Sequence, residues 1–434
     1  MTSLAVGLIG IISAILLIVI GMPVGFSLAL IGFLGFAYLS SLEAALAITG
    51  TEVFAALYSY TFTVIPLFVL MGSIAARSGI GQKVYSTADK WLGHLPGGLA
   101  LATFAGCAGF AAISNSSMAT AATMCRVAFP EMEKRRYKPE LSAGSIATGG
   151  TLGILIPPSG VLIVYGILTE ESIGSLFVAA VLPGILHTLL YLALVVAWTQ
   201  IVPDLAPPSK AIVSIRERVG SLGGTLEALL LFMLVIGGMF FGLFTPTEAG
   251  GVGVGGITLI AVSRKILNWR QSAEALSDTA RTISMIALVL VGAMIFNKFL
   301  SLSRLPFELA EMISGLALSP HFCIIIMMLS YLVMGCLVDT LSMVLITVPI
   351  YFPLVVSLGF DPLWFGIIVV VIAEIGMITP PMGINVFIIS GMLPKVPIQA
   401  IFKGVVVFLV ADLFLIVLLL LFPQIVLFLP SLMR

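Results

Sequence analysis

The sequence predicts an all-α polytopic membrane protein built from two inverted repeats. Of its 434 residues, 60% are hydrophobic and only 9% are charged, whereas about a quarter of the residues in a soluble domain are charged. Two long apolar stretches are interrupted near their middle by polar residues, and several landmarks of the first half of the chain recur in the second. Nothing in the sequence has the composition of a separate soluble domain.

Ten apolar segments approach or exceed the roughly 20 residues that cross a bilayer. The predicted spans are 4–20, 24–41, 53–76, 140–168, 175–200, 222–243, 247–262, 281–300, 362–392 and 400–422. The first lacks the basic start and small-residue cleavage site of a secretory signal, so we expect it to remain as a transmembrane helix. The stretch 264–281 is amphipathic and basic, and it predicts an interfacial helix on the cytoplasmic side with lipid headgroups as its partner.

Two further apolar regions, 97–130 and 320–357, are each split by a polar segment, 114-SNSS-117 and 339-DTLS-342. Two half-length helices that meet at a polar tip form a re-entrant hairpin. Non-helical backbone at membrane depth is tolerated only where it lines a cavity or is buried in protein. We therefore expect two re-entrant hairpins whose tips line an internal site.

The basic residues predict the orientation, because Lys and Arg collect in cytoplasmic loops. Each hairpin is taken to enter and leave the membrane on the same side, and the N-terminus is placed outside. Five segments are then cytoplasmic, and they hold 17 of the 20 basic residues. These segments are 77–95, 126–140, 201–220, 264–281 and 393–403. The opposite orientation would reverse nearly every count, so both termini are predicted to lie outside.

Four landmarks recur at nearly one offset, which predicts an internal repeat. The matched pairs are Pro23 with Pro246, Gly72 with Gly292, Ser114 with Asp339, and 153-GILIPPSG-160 with 376-GMITPPMG-383. We place the first repeat at 1–200, a cytoplasmic linker at 201–221 and the second repeat at 222–434. Each repeat then holds five crossings and one hairpin. Because five is an odd number, the second repeat is inverted relative to the first.

The paired prolines 157-PP-158 and 380-PP-381 predict two helices broken near the bilayer midplane, because proline removes a backbone donor and clashes with the preceding turn. Each break exposes free carbonyls on one half-helix and free N–H groups on the other. The N-termini of half-helices favour anionic groups, and unwound carbonyls suit Na⁺. Two tips and two breaks that converge at the midplane would therefore form a doubled binding site.

Na⁺ is a hard cation that takes several oxygen ligands. The first predicted Na⁺ site comprises Ser114, Asn115, Ser116 and Ser117 with the carbonyls of Gly150, Thr151 and Gly153. The second comprises Asp339, Thr340 and Ser342 with the carbonyls of Gly376 and Thr379. The candidates for contact with substrate carboxylates are Ser159, Thr379 and Asn385, beside Pro158 and Pro381. Helix N-capping is the alternative role for the polar residues of both tips.

Other polar residues in apolar segments have simpler interpretations. Glu248 follows a Pro-Thr turn, and an acid in the first turn of a helix explains it better than ion coordination does. Glu374 and Asp412 are acids within predicted spans, and the sequence names no partner for either. The histidines and cysteines stand singly, so we interpret the histidines mainly as structural, with a proton relay as the lesser alternative, and the cysteines as small buried hydrophobes.

Four segments resemble a known family. They are SNSSMATAA from 114, the run 150–177, FTPTEAG at 244–250 and GMITPPMGINVF at 376–387. Together they resemble the large membrane subunit of tripartite ATP-independent periplasmic (TRAP) transporters of the C4-dicarboxylate type. The resemblance covers essentially the whole chain. It implies Na⁺-coupled uptake of a small organic acid such as a C4-dicarboxylate or sugar acid across a bacterial inner membrane, with both termini periplasmic.

The resemblance also implies partners and a mechanism. The partners are a periplasmic substrate-binding protein and a small four-helix membrane subunit. We expect the latter to be encoded separately, because none is fused to the front of the chain. No nucleic acid and no cofactor beyond the coupling ion are implied. An elevator movement would carry a transport part (97–200 and 320–434) past scaffold helices (1–76 and 222–300), connected by arms at 77–96 and 301–319.

Other functions are less consistent with the sequence. A stand-alone elevator-type anion symporter or exchanger would share the repeats and hairpins but need no binding protein. An intramembrane enzyme is disfavoured because the chain has no HExxH zinc motif, no GxSxG elbow and no paired catalytic aspartates on spans. A channel is disfavoured because no filter-like signature is visible. The sequence does not identify the acid that is carried.

Overall fold

The computed structural model of the chain describes residues 2–207, 212–315, 319–336, 338–381 and 383–433, and across these ranges the chain forms helices and no β-strand. Seven helical stretches in the described ranges are long and apolar enough to cross a membrane. They are Tyr60–Arg77, Pro139–Thr169, Ile173–Ile201, Ile215–Phe240, Trp269–Ser303, Thr340–Ser357 and Ile398–Leu421. The predicted all-α membrane class is confirmed. Parts of the predicted linker (208–211) and of the second arm (316–318) lie outside the described residues.

From the helix pair at the polar tip onward, the helix order of the first half recurs in the second. The first half contains α1 (Ser3–Val19), α2 (Val24–Leu39), α3 (Leu42–Tyr58), α4 (Val64–Arg77), α5 (Ile80–Leu92), α6 (Gly98–Ser114), α7 (Ser117–Lys134), α8 (Pro139–Leu155), α9 (Gly160–Thr169) and α10 (Ile173–Ile201). The second contains α11 (Ile215–Phe240), α12 (Pro246–Ser263), α13 (Trp269–Ser303), α14 (Leu305–Gly315), α15 (Pro320–Gly335), α16 (Thr340–Ser357), α17 (Pro362–Ile378), α18 (Ile384–Met392), α19 (Ile398–Leu421) and the short α20 (Gln424–Leu427). In each half, a helix pair joined at a polar tip precedes a helix broken at Pro-Pro and then a long helix.

The predicted span 53–76 is wrong, because two helices share that segment. α3 ends at Tyr58, and a 3-10 turn over Tyr60–Thr63 precedes α4. Pro66 explains the break, since a proline cannot donate to the carbonyl four residues earlier and clashes with it. Because Pro66 falls in the first turn of α4, it is tolerated there.

The predicted separate interfacial helix at 264–281 is also wrong. Residues from Trp269 onward form the first part of α13, which continues without interruption to Ser303. Asn268 starts this helix with a capping box, accepting from the Gln271 N–H at 2.9 Å while the Gln271 side chain accepts from the Asn268 N–H at 3.1 Å. The chain has no proline or glycine between Trp269 and Gly292, so nothing ends the helix at the point where its composition changes.

α8 and α17 form the centre of the part of the fold that holds the tips. Every residue of α8 from Leu141 to Leu155 is buried, as is every residue of α17 from Trp364 to Ile378. Both helices are thus surrounded by protein, which accommodates polar side chains such as Thr148 and Glu374 within them. The neighbouring helices cross between the halves, since α7 packs on both α8 and α18 while α16 packs on both α17 and α9. Each tip therefore lies between the broken helices of both repeats.

A second group of helices packs mainly on itself. α2 runs along α13, α4 packs on α12 and α13, and α11 packs on α12. Glycines allow the closest approaches in this group, because a side chain on Gly32 of α2 would lie 2.7 Å from the Phe296 backbone of α13. Small residues at helix contacts are the usual device for close packing in membranes. This group contains the helices assigned to the predicted scaffold.

Candidate functional site

The first tip joins α6 to α7. Asn115 takes a left-handed backbone conformation (φ 54°) directly after α6 ends at Ser114. Ser116 then caps α7 by accepting a hydrogen bond from the Ala119 N–H at 3.2 Å. The hydroxyls of Ser114 and Thr120 lie 2.7 Å apart, and Thr120 also donates to the Ser116 carbonyl at 2.8 Å. Capping is therefore present at Ser116, and it does not involve the Asn115 side chain.

The two proline pairs release equivalent backbone carbonyls. In an α-helix the carbonyl of residue i accepts from the N–H of residue i+4, which proline lacks. Pro157 therefore leaves the Gly153 carbonyl without its helical donor, and Pro380 does the same to the Gly376 carbonyl. Both Pro-Pro bonds are cis. These two glycines are matched by the repeat and are both predicted Na⁺ ligands.

The other predicted carbonyl ligands already accept hydrogen bonds. Gly150 and Thr151 lie within α8, where the regular i+4 pattern supplies donors to their carbonyls. The Thr379 carbonyl accepts from the Gly383 N–H at 3.0 Å. A carbonyl has a second lone pair, so these oxygens are not removed as ligands. The carbonyls of Gly153 and Gly376, which have no helical donor, are nevertheless the better candidates for Na⁺ coordination.

Each tip lies directly beside the glycine with the released carbonyl. A Cβ atom on Gly153 would lie 2.6 Å from the Ser116 carbonyl oxygen at the first tip. A Cβ atom on Gly376 would lie 2.7 Å from the Cα atom of Gly335, which ends α15. The backbones can approach this closely only because both positions are glycine. The two halves thus repeat the same arrangement of tip and broken helix.

The second tip starts α16 and is more open than the first. Asp339 is exposed and caps α16, since its Oδ2 accepts from the Ser342 N–H at 3.2 Å and its Oδ1 accepts from the Ser342 hydroxyl. The hydroxyl oxygen of Thr340 is buried and has no hydrogen-bond partner among the described residues. Helix N-capping, the alternative to ion binding, is therefore present at Asp339 as well. The neighbouring Thr340 hydroxyl oxygen remains available to a ligand.

Asn385 joins the second repeat to the first tip. This side chain is fully buried at the start of α18, and its Nδ2 donates to the Ser117 Oγ at 2.7 Å and to the Ala147 carbonyl at 3.1 Å. On the other side of the tip, a Cβ atom on Gly160 of α9 would lie 3.5 Å from the Asn115 Oδ1. The first tip, α8, α9 and α18 therefore meet at one place, as the sequence predicts.

The remaining substrate candidates differ in access. Ser159 is fully buried and caps α9 through the Leu162 N–H at 3.3 Å, and Pro158 is buried beside it. The Thr379 hydroxyl donates to the Ile375 carbonyl at 2.6 Å and is half-buried, whereas Pro381 is exposed. The first break is thus enclosed, while the second break and the second tip are accessible.

Several buried side-chain oxygens around the first tip have no hydrogen-bond partner within the described ranges. They are Oδ1 of Asn115, Oδ1 of Asn385 and Oγ1 of Thr148. Buried polar atoms are normally paired, so each such atom calls for a partner that is an ion or a water molecule. Asn115 lies at the tip and Asn385 is bonded to the tip through Ser117, so both offer neutral oxygens of the kind that suits a hard monovalent cation. Thr148 is an addition that the sequence analysis missed.

Comparison with known proteins identifies the family. Residues 11–425 match the family described as Tripartite ATP-independent periplasmic transporter, DctM component. The chain belongs to this family. It is therefore a multi-pass transport subunit, a large permease, and the predictions of a transporter rather than an enzyme are confirmed.

Two relatives and one solved structure illustrate the match. The C4-dicarboxylate TRAP transporter large permease protein DctM of Pseudomonas aeruginosa is 34% identical over 373 residues, 86% of each chain. The sialic acid TRAP transporter large permease protein SiaM of Vibrio cholerae is 30% identical over 95% of each chain. The YdaH transporter of Alcanivorax borkumensis shares the fold with a TM-score of 0.55 over 87% of this chain and 88% of its own, at 16% identity.

The large permease differs between its repeats where the tips meet the second helix group. Any side chain on Gly72 of α4 would overlap the Ser114 carbonyl, so the first tip touches α4 directly. Gly292, its repeat partner, instead approaches the Gly25 carbonyl of α2.

Glu248 forms a capping box with Thr245 at the start of α12, as expected for an acid in the first turn of a helix.

A buried ionisable cluster in the permease was not found from the sequence. It consists of His187 and Tyr191 on α10, Glu374 on α17 and Asp412 on α19. One signal could have revealed it. His187 and Asp412 are 225 residues apart, the same separation as that of the repeat-matched pair Ser114 and Asp339, so they occupy equivalent positions in the two repeats. Equivalent residues can touch only where the repeats meet each other.

Proposed function

We propose that this chain is the translocation subunit of a Na⁺-coupled importer of a small organic acid. The observation that carries the proposal is the meeting of a polar tip with a proline-broken helix in each half, beside the released carbonyls of Gly153 and Gly376. Irregular backbone of this kind in a membrane-spanning fold belongs where it lines a binding site. We further propose that both termini face the periplasm.

The coupling ion is assigned from the available oxygen atoms. The first site would use the Asn115 and Asn385 amide oxygens with the Gly153 carbonyl, all close to the first tip. The second would use Asp339 and the Thr340 hydroxyl with the Gly376 carbonyl. The remaining predicted ligands, Ser114, Ser116, Ser117, Ser342, Gly150, Thr151 and Thr379, would support these atoms. The neutral oxygens of the first site would hold the ion without placing a second charge in the membrane, whereas the second site includes the carboxyl group of Asp339.

The substrate is proposed to be a small carboxylate. The relatives named above carry C4-dicarboxylate and sialic acid in their names. In this chain the accessible second break offers Thr379 and Pro381, and α18 begins directly after it with free backbone N–H groups, which favour an anion. Delivery by a periplasmic binding protein and assembly with a small four-helix membrane subunit complete the proposed transporter.

The movement is proposed to be of the elevator type. Helices α6–α10 and α15–α19 would move together as the transport part, because the tips and broken helices of both repeats interlock within that group. Helices α1–α4 and α11–α13 would stay as the scaffold, with α5 and α14 as connecting arms. The first tip rests on the scaffold at Gly72, which is the contact such a movement would break.

Uptake into proteoliposomes tests the proposal. The chain would be reconstituted with and without the small subunit and the binding protein, under an imposed Na⁺ gradient, with a labelled panel of C4-dicarboxylates and sugar acids. Uptake is expected only when Na⁺ and all three proteins are present. Uptake by the chain alone would instead favour the stand-alone anion carrier. Uptake by the full set without Na⁺ would reject the coupling ion.

A further inference from the structure

Three helices of the permease are joined by charged side chains that have no access to solvent. The side chains of His187, Glu374 and Asp412 are 0%, 1% and 1% exposed. The His187 Nε2 lies 2.7 Å from the Asp412 Oδ1, and its Nδ1 lies 3.4 Å from the Glu374 Oε2. The Tyr191 hydroxyl donates to the same Asp412 oxygen. One imidazole thus stands between two carboxylates.

Two arrangements fit these contacts: an imidazolium between two carboxylates, or a neutral imidazole whose Nδ1 accepts from a protonated Glu374. The 3.4 Å separation between Nδ1 and the Glu374 Oε2 exceeds a normal hydrogen-bond length, so the second arrangement gains no hydrogen bond there. A neutral imidazole has one N–H and one lone pair, so one of its nitrogens would direct a lone pair at a carboxylate oxygen. An imidazolium carries a proton on both nitrogens, and each proton then points toward a carboxylate. Two carboxylates without a positive charge between them would be very unfavourable in a buried site.

No other charged group compensates for the carboxylates. The ionisable groups that face His187 are Asp412 from α19 and Glu374 from α17, and the ring of Tyr191, on α10 itself, lies against the imidazole. The other helices packed against α10 are α6, α8, α9, α11 and α20, and within the described ranges none of them brings a charged side chain to the cluster. His187 is therefore the source of positive charge at this place.

The placement links the two repeats. α10 ends the first repeat and α19 is its counterpart in the second, while α17 is the fully enclosed central helix. The carboxylate oxygens of Glu374 and one oxygen of Asp412 form no hydrogen bond with any described residue, so His187 is what offsets their charge. Removal of one proton from the imidazole would leave adjacent helices carrying uncompensated negative charge.

We propose that His187 is a buried proton-binding site that holds the two repeats together in the transport part. The ligand is a proton, bound on the imidazole between Asp412 and Glu374. The site is occupied at neutral pH, and its occupancy stabilises the contact of α10 with α17 and α19. The stabilisation comes from the attraction between the bound proton's charge and the two carboxylates.

Nitrogen NMR of histidine-labelled permease in lipid tests the proposal directly. The variants His94→Gln and His321→Gln remove the two other histidines, so that His187 alone reports. At neutral pH we expect the signature of a doubly protonated imidazolium. A neutral tautomer at neutral pH would overturn the proposal.

Charge-matched variants test the linkage to stability. His187→Gln should lower the thermal stability of the purified permease, because it leaves both carboxylates without a positive partner. The double variant His187→Gln/Glu374→Gln keeps the net charge of the wild-type cluster, so we expect it to recover stability. If the double variant is no more stable than His187→Gln, charge compensation by His187 is refuted.

Discussion

Replacement of Asn385 by alanine tests whether α18 holds the first tip in place. The change removes two hydrogen bonds, to the Ser117 hydroxyl and to the Ala147 carbonyl. Hydrogen bonds between membrane helices contribute about 0.6 kcal/mol each, so the loss is about 1.2 kcal/mol. A difference of that size is about sevenfold in an equilibrium constant. The protein should therefore still fold, while the population with the tip docked on α18 falls.

The expected result is a higher Na⁺ requirement. If Na⁺ binds the docked tip, loss of the docked population alone should raise the Na⁺ concentration for half-maximal uptake by up to about sevenfold in Asn385→Ala, and loss of the proposed Asn385 ligand oxygen should raise it further. Uptake would be measured in proteoliposomes over a range of Na⁺ concentrations. Asn297→Ala on α13 is the matched control, because Asn297 is a half-buried asparagine outside the tips. Equal Na⁺ dependence in the two variants would refute the role of Asn385.

Three other variants test separate parts of the structure. Asp339→Asn should raise the Na⁺ requirement of uptake without a loss of thermal stability, because asparagine caps helices as well as aspartate does. Gly72→Leu should abolish uptake by displacing the Ser114 carbonyl, whereas Gly251→Leu, which meets open space, should retain it; equal uptake would contradict the contact. Arg135→Cys in a cysteine-free background should resist impermeant thiol reagents applied to intact cells, and labelling from outside would invert the predicted orientation.

The fold was predictable where single residues force a local outcome. Proline ends a helix wherever its missing N–H and its ring prevent continuation, so both Pro-Pro breaks occur where the sequence places them. The polar tips at Ser114 and Asp339 separate helices as expected, because serine, asparagine and aspartate satisfy the free N–H groups of a new helix start. These signals act over a few residues and need no knowledge of the packing.

Composition alone misled where it was used to place helix ends. The change from a basic to an apolar stretch near residue 281 suggested two elements, but a helix ends at a residue that cannot continue it, and α13 contains none there. The converse error occurred at Pro66, where a uniformly apolar stretch hid a true break. The paired prolines and the polar tips were more reliable guides than hydropathy, whereas single prolines such as Pro130 and Pro183 lie inside helices.

The contacts between distant residues could be predicted only in part. The repeat offset places His187 and Asp412 at equivalent positions, yet it does not say that equivalent positions touch. Glu374 lies beside them because its side of α17 faces α10. The sequence does not show which side that is, because α17 is buried on every side and has no solvent-facing polar surface to indicate its orientation. The same applies to Asn385, whose partners on α7 and α8 come from the other repeat.

The central claim is that each tip, together with its broken helix, binds Na⁺. Equilibrium binding of radiolabelled Na⁺ to the purified permease with its small subunit tests it most directly, with Asn115→Ala for the first tip and Asp339→Ala for the second. We expect saturable binding in the wild type, fewer ions bound per chain in each single variant, and little binding in the double variant. Asn297→Ala should bind as the wild type does. Unchanged Na⁺ binding in the double variant, with the protein still folded, would contradict the claim.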